Sequence, residues 1–189
     1  MFDVPQKIRS LMRDFKPDWF IAGGWAIDLY LEKETRHHED IEIAIFRRDQ
    51  IALQNYFDGW ILKKSVNGRL TVWNRGERLE SPIHEIHCFN KTAEPQFFEI
   101  LLNEIDGDEW LFRRNVKVTK PLPELSLTSN LGMKFLHPEV VLLYKSKNPR
   151  LKDEQDFKVV AERLDVESKE WLENALTIYY SEHHWLQRL

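Results

Sequence analysis

The spacing of apolar residues near the start of the chain predicts a helix, a strand and a second helix. Apolar positions recur at helical intervals from Pro5 to Asp14, and Pro17 ends that helix. The apolar run Trp19 to Ala22 then predicts a buried strand, and Trp25 to Leu31 returns to helical spacing. Gly23-Gly24 therefore lie at a tight turn between a strand and the N-terminus of a helix.

Alternation of acidic and apolar residues predicts the next strand, Asp40 to Phe46. Asp49 is placed to cap a helix that runs to Phe57. Beyond it, Asn67-Gly68 is a strong two-residue hairpin signal between two further strands. Those strands are predicted at Trp60 to Val66 and Arg69 to Trp73.

The remaining pattern changes from strands to helices. Strands are predicted at His84 to Phe89, Phe97 to Glu104 and Glu109 to Val118, and helices from Pro138 onward, at Asp153 to Leu164 and at Glu167 to Tyr180. Pro121 and Pro123 mark the predicted boundary between the part rich in strands and the helical part. We therefore expect an α/β core domain in residues 1–120 and a C-terminal helical part in residues 121–189, packed on the core.

Composition excludes several classes of protein. The chain has 189 residues, of which 42% are hydrophobic, so it can form one core with a small helical appendage. Its formal net charge is −4, so a surface built to grip a nucleic acid backbone is not expected. Cys88 is the only cysteine, and no signal peptide or long apolar run is present, so we expect a cytoplasmic protein.

The candidate chemistry is concentrated between Gly23 and Glu42. Glycines allow a phosphate to approach the backbone, and the free N–H groups at a helix N-terminus favour its negative charge. Asp40 and Glu42 are one strand period apart and point the same way. Two adjacent carboxylates are costly unless a hard cation such as Mg²⁺ neutralises them.

A third carboxylate is expected if metal ions are to be held over a phosphate. Glu99 is the preferred candidate because it is a lone acid inside the apolar strand Phe97 to Leu102. Glu85 competes with it, in the less regular strand around His84 and His87.

These residues resemble the nucleotidyltransferase superfamily to which DNA polymerase beta belongs. The likeness is greatest to the small branch typified by aminoglycoside 2″-adenylyltransferases and lincosamide nucleotidyltransferases. It rests on Gly23 to Asp28, on Thr35-Arg36 with His38, on Asp40-Ile41-Glu42, and on Phe98 to Leu101 with Asp106-Gly107. Weaker similarity in His137 to Lys145 and Lys152 to Phe157 extends it over nearly the whole chain. The resemblance implies a mixed sheet flanked by helices.

The resemblance also implies a reaction: transfer of AMP from ATP to a hydroxyl of a small molecule, either aminoglycoside-like or of an unknown kind, with release of pyrophosphate. Asp40, Glu42 and Glu99 would be the catalytic residues and would hold two Mg²⁺ ions. The nucleotide would be bound by Gly23, Gly24, Arg36, His38 and Lys145. No nucleic acid or membrane partner is expected.

Two alternatives remain open. The acceptor could be a protein hydroxyl, as in nucleotidyltransferases that act on toxin partners. The chain could instead bind nucleotide without turnover, because the family usually has aspartate where Glu42 and Glu99 stand, and the longer side chain displaces the carboxylate. The sequence leaves open the role of a basic strip formed by Arg113, Arg114, Lys117 and Lys120.

Overall fold

Ten strands form one connected mixed sheet in the computed structural model, which describes residues 2 to 189. The strands are β1 (Trp19–Ile21), β2 (Glu42–Phe46), β3 (Ile61–Val66), β4 (Arg69–Val72), β5 (Glu85–Phe89), β6 (Phe97–Asp106), β7 (Glu109–Leu111), β8 (Thr119–Pro121), β9 (Ser126–Thr128) and β10 (Lys134–Leu136). The helices are α1 (Asp3–Leu11), α2 (Gly23–Tyr30), α3 (Gln50–Tyr56), α4 (Pro138–Lys145), α5 (Leu151–Ala161) and α6 (Val166–Tyr180).

The order of the strands brings distant segments of the chain together. The main path is β4-β3-β5-β6-β2-β1-β10-β9, and β7 and β8 extend from β6. Strands β2 and β6 are parallel, as are β1 and β10, whereas the other pairs are antiparallel. The predicted α/β architecture with a mixed sheet and flanking helices is therefore confirmed.

The centre of the sheet is apolar on the face away from the candidate chemistry. Ile43 and Ile45 of β2 and Phe98 and Ile100 of β6 are buried completely or almost so. Their alternation with Glu42 and Glu99 fixes the register, because a slip of one residue would exchange the two faces. The apolar residues of β2 and β6 thus determine that Glu42 and Glu99 lie on the opposite face of the sheet.

Most predicted elements are present, with shifted ends. The hairpin around Asn67-Gly68 pairs Val66 with Arg69, as its sequence predicts. The predicted strand Asp40 to Phe46 starts only at Glu42, because the carbonyl of Asp40 accepts a hydrogen bond from Trp25 Nε1 at 3.0 Å. Asp40 therefore lies just before the strand.

The predicted strand Glu109 to Val118 is wrong beyond Leu111. Residues 112–118 form a compact turn that is closed by a 2.9 Å hydrogen bond from the Phe112 N–H to the Val118 carbonyl. Asn115 stabilises that turn by accepting a hydrogen bond from the N–H of Lys117 at 3.1 Å. The turn sends the chain back along β7 as β8.

The sheet continues past residue 120. Strands β9 and β10 pair with each other, and β10 lies beside β1, so the helices of the C-terminal part begin only at Pro138. Strands of three residues are too short for alternation to reveal them in the sequence. The division of the chain near residue 120 stays a prediction. Among residues 2 to 189, no helix has both the length and the apolar surface that crossing a membrane requires.

Candidate active site

The turn from β1 into α2 brings backbone N–H groups next to a carboxylate. Gly23 has a φ of +59°, in the left-handed region that favours glycine. A Cβ atom on Gly23 would overlap Glu42 Oε2, so only glycine leaves room for that carboxylate. Ala22 is the N-cap residue of α2 and has no side-chain oxygen to occupy the N–H groups of the first turn. The glycine corner is thus open to an anion while it supports Glu42.

Glu42 and Glu99 are direct neighbours across the parallel strands β2 and β6. Their side chains are on one face of the sheet, because register partners point the same way. The backbone reinforces the pairing: the N–H of Glu99 donates to the carbonyl of Ile41 at 3.0 Å. Asp40, two residues before Glu42, is exposed beside the pair.

Strand β5 adds two further ligand groups to the same face. His87 is the register partner of Glu99, and Glu85 lies two residues before it. His87 Nε2 is 2.5 Å from Glu85 Oε1, and His87 Nδ1 is 3.5 Å from Glu99 Oε1. Among residues 2 to 189, Glu85, His87 and Glu99 are the one set of three potential ligands whose atoms lie within 4.8 Å of one another.

The acids of this face lack enough positive charge to balance them. Burial, and then the charge of Asp40, raise the pKa of Glu42 above its ordinary value. Burial, followed by the charges of Glu42, Glu85 and Asp40, raises the pKa of Glu99 to about 8. A cation bound at this face would reverse both effects. We call Glu42, Glu85 and Glu99 the carboxylate cluster.

A cavity of about 300 Å³ opens onto the carboxylate cluster. Gly23, Glu42 and Glu85 line it together with Tyr144 and Lys145 of α4. Its size falls at the lower end of the range for small-molecule sites. A larger depression of about 610 Å³ lies along α1 and around Lys134, and none of the predicted site residues lines it. The smaller cavity is therefore the candidate active site.

A comparison with protein families identifies the family to which the chain belongs. The family model for aminoglycoside-2''-adenylyltransferases matches residues 6–127, which include the glycine corner and the carboxylate cluster. The chain belongs to this adenylyltransferase family.

Solved structures of adenylyltransferases have the same fold. The solution structure of the antibiotic-resistance factor ANT(2'')-Ia matches with a TM-score of 0.61 and 16% identity, over 96% of this chain and 94% of that one. ANT(2'')-Ia in complex with adenylyl-2''-tobramycin matches with a TM-score of 0.61 and 12% identity, over 93% and 96% of the two chains. The lincomycin-bound lincosamide adenylyltransferase LnuA matches with a TM-score of 0.58 and 17% identity, over 87% and 98%. No curated protein sequence matches the chain.

In this member of the family, three of the residues predicted to bind nucleotide already have protein partners. Arg36 makes a two-pronged contact with Asp156, at 3.1 Å from Nε and 3.0 Å from Nη2. Lys145 Nζ lies 3.0 Å from the same carboxylate. His38 Nε2 is 2.6 Å from the completely buried Asp28, and its ring lies against Trp25. Their role towards nucleotide stays a prediction.

Gly24 has a structural role as well as a predicted binding role. A Cβ atom there would lie 2.5 Å from Arg36 Nη2 and 2.5 Å from the ring of His38. Real Cβ atoms essentially never make such close contacts, so a side chain at this position would displace Arg36 and His38. Gly24 therefore holds the loop before Asp40 against α2.

The basic strip does not form one surface. Lys120 is buried, where it pairs with Glu139 at 2.9 Å and lies over the ring of Trp171. Lys117 is exposed in the turn before β8. Arg113 and Arg114, in contrast, line the candidate active site. The sequence placed these four residues in one basic strip and left their role open, and the turn at residues 112–118 separates them.

Sequence reasoning gave too little weight to Glu85 and His87. Both were visible as alternate positions in the segment His84 to His87, but their meaning depends on the register between β5 and β6. That register places His87 beside Glu99, which no local pattern reveals. Glu99 and Glu85 therefore belong to one cluster.

Proposed function

We propose that this adenylyltransferase transfers AMP from ATP to a hydroxyl of a small molecule and releases pyrophosphate. The observation that carries this proposal is the pairing of Glu42 with Glu99 beside the glycine corner, where Glu42 lines a cavity. Membership of the adenylyltransferase family supports the same reaction.

The residues present fit the divalent metal ions that such a reaction uses. Carboxylate oxygens are the ligands that Mg²⁺ prefers, and the raised pKa of Glu99 shows a site short of positive charge. Asp40, Glu42 and Glu99 would hold two Mg²⁺ ions, and Glu85 is close enough to Glu99 to contribute. When bound, Mg²⁺ neutralises phosphate charge and lowers the pKa of an acceptor hydroxyl.

The glycine corner would bind the triphosphate. N–H groups of Gly23 and Gly24 are at the positive end of the α2 dipole, where an anion is favoured. Lys145 lines the same cavity and supplies a point charge for a phosphate oxygen. Arg36 and His38 lie against Gly24 and would complete this side of the site.

Glu99 is the residue we assign to accept the proton of the acceptor hydroxyl. A general base must lie within reach of the proton that it accepts, and Glu99 is the direct neighbour of Glu42 on the face that would hold the metal ions. His87 contacts both Glu85 and Glu99, so Glu99 is bordered by β5 on the side away from Glu42. The acceptor would therefore approach from the side of β5.

A small-molecule acceptor suits the volume of the cavity. ANT(2'')-Ia has been solved with adenylyl-2''-tobramycin and LnuA with lincomycin, which are small molecules. Modification of a protein hydroxyl and nucleotide binding without turnover remain the alternatives.

The test is pyrophosphate release with ATP, Mg²⁺ and a panel of hydroxylated small molecules, including aminoglycosides and lincosamides. We expect at least one acceptor to gain the mass of AMP, and Glu42→Gln to remove that product. AMP addition to a co-purifying protein would favour the protein-modifying alternative. Binding of ATP with Mg²⁺ but no transfer to any acceptor would favour the inactive alternative.

A further inference from the structure

Arg113 and Arg114 are two cations in the active-site cavity without acidic partners. Among residues 2 to 189, no carboxylate lies within ion-pair distance of either guanidinium. Two other cations of the cavity are neutralised: Lys145 and Arg150 both bind Asp153, at 2.9 Å and 3.0 Å. Lys147, which also lines the cavity, is exposed to water, so the partly buried positive charge without a carboxylate partner is that of the two arginines.

Both guanidiniums are held in place by aromatic and backbone contacts. Arg113 lies over the ring of Tyr144 at 5.6 Å, and Arg114 lies over the same ring at 5.5 Å. Arg114 Nη1 donates to the carbonyl of Tyr144 at 2.7 Å. Its Nε is buried and has no hydrogen-bond partner within the described chain. A buried donor without a partner is costly, and a bound acceptor atom would remove that cost.

Burial makes this pair of charges expensive to keep. It lowers the pKa of both Arg113 and Arg114, which is the effect expected when a cation loses water without gaining an anion. Arginine remains charged even so. Two adjacent, rigid guanidiniums that face a cavity match the geometry of a phosphate or carboxylate group.

The arginines lie on the side of the cavity away from the glycine corner. Gly23 follows β1, whereas Arg113 and Arg114 follow β7, which pairs with β6. Strand β2, which carries Glu42, lies between β6 and β1. The arginines and the glycine corner therefore border different strands of the site, on either side of β2.

We propose that Arg113 and Arg114 form an anion subsite for the acceptor, so that the acceptor of this enzyme is a hydroxyl compound bearing a phosphate or carboxylate. This inference rests on the proposed function. It also departs from a polycationic aminoglycoside as acceptor, because two unpaired arginines in the cavity repel ammonium groups.

The test is binding of inorganic phosphate to the full chain, followed by ³¹P NMR in the presence of Mg²⁺ and a saturating non-hydrolysable ATP analogue. We expect phosphate to bind the analogue complex, and both Arg113→Gln and Arg114→Gln to weaken it by roughly tenfold or more. Arg113→Lys should restore part of the affinity, because it keeps the charge but loses the planar fork. Arg69→Gln, on the exposed β4, is the matched control and should leave it unchanged.

Two results would overturn the proposal. One is equal phosphate affinity in the wild type and in both glutamine variants that retain the wild-type circular dichroism spectrum. The other is loss of phosphate binding when the analogue is present, with weaker analogue binding in the variants, which would assign the arginines to the triphosphate. If the analogue itself does not bind, the proposed function fails, and phosphate titration of the free protein still decides the subsite.

Discussion

Two clusters of charged side chains contribute to the lining of the candidate active site, and their energetics are opposite. The carboxylate cluster has acids without cations, and the pKa of Glu99 rises to about 8. In the second cluster, which we call the ion network, Asp153 and Asp156 are shared by Arg36, Lys145 and Arg150. Burial alone would raise the pKa of Asp153, but hydrogen bonds from Arg150 and Lys145 lower it to about 2.

The difference separates structural charge from functional charge. In the ion network each buried ion has a partner of opposite sign, so the network joins α4, α5 and the loop before β2. The carboxylate cluster is stable only in the presence of a proton or a cation. Removing a charge should therefore stabilise the folded protein when the charge belongs to the carboxylate cluster and destabilise it when the charge belongs to the ion network.

The largest expected effect is on catalysis. Asp40→Asn or Glu42→Gln should lower Mg²⁺-dependent pyrophosphate release by at least roughly 100-fold, because each removes a ligand charge that acts on the transition state. The melting temperature should stay the same or rise, since a repelling charge is lost. Turnover equal to that of the wild type, with any acceptor found, would contradict the assignment of these acids.

Breaking the ion network should have the largest effect on stability. Asp156→Asn leaves Arg36 and Lys145 without a shared carboxylate, and loss of one partner of a buried pair costs about 3 kcal/mol. Urea unfolding monitored by circular dichroism measures this loss. Asp58→Asn, which breaks the exposed pair with Arg75, should cost less than about 1 kcal/mol. Equal effects of the two substitutions would contradict a stabilising role for the ion network.

Crowding at the glycine corner gives an intermediate effect. Gly24→Ala should lower the free energy of unfolding by about 2 kcal/mol, because its methyl group meets Arg36 and His38. Gly59→Ala is not a neutral control, since Gly59 has a φ of +85°. Ala26→Gly, one turn into α2, is a better comparison and should cost about 1 kcal/mol through helix propensity. A smaller loss for Gly24→Ala than for Ala26→Gly would mean that the loop adapts.

The pH dependence of stability gives the smallest effect. In metal-free protein, the pKa of Glu99 is about 8 in the folded state, against an ordinary value of 4.5. The folded state therefore binds the proton more tightly. Glu99 contributes stability that is fully present below pH 4.5 and is lost as the pH rises to about 8.

Glu99→Gln should remove that dependence. Relative to the wild type, its free energy of unfolding should rise between pH 5 and pH 8 by roughly 1.5 kcal/mol, measured without metal, which is less than the full shift in pKa implies because solvent screens a partly exposed carboxyl group. Asp106→Asn, in the same strand but at its exposed end, should show no such trend. A constant difference between Glu99→Gln and the wild type across this range would contradict the raised pKa.

The sequence predicted the backbone elements of the site better than the partners of its side chains. Gly23-Gly24 and the alternation from Glu42 to Phe46 are local signals, and both elements form as predicted. The relation of Glu99 to Glu42 followed from family resemblance and burial, and the register confirms that they are neighbours.

Long-range pairing explains what the sequence could not predict. The partners of Arg36 and Lys145 come from α5, 120 residues after Arg36 in the case of Asp156. Lys120 is part of the basic strip in the sequence, but in the structure it is buried against Glu139. A pattern of charges along a strand carries no information on whether another helix will cover it.

The most direct measurement is a ¹³C NMR titration of the Glu99 carboxyl carbon, assigned by comparison with Glu99→Gln. We predict a pKa of about 8 in metal-free protein, and a clear fall when Mg²⁺ and a non-hydrolysable ATP analogue are added. A pKa near 4.5 that does not change on addition of Mg²⁺ and the analogue would contradict the claim that the negative charges of the carboxylate cluster are unbalanced until a cation binds.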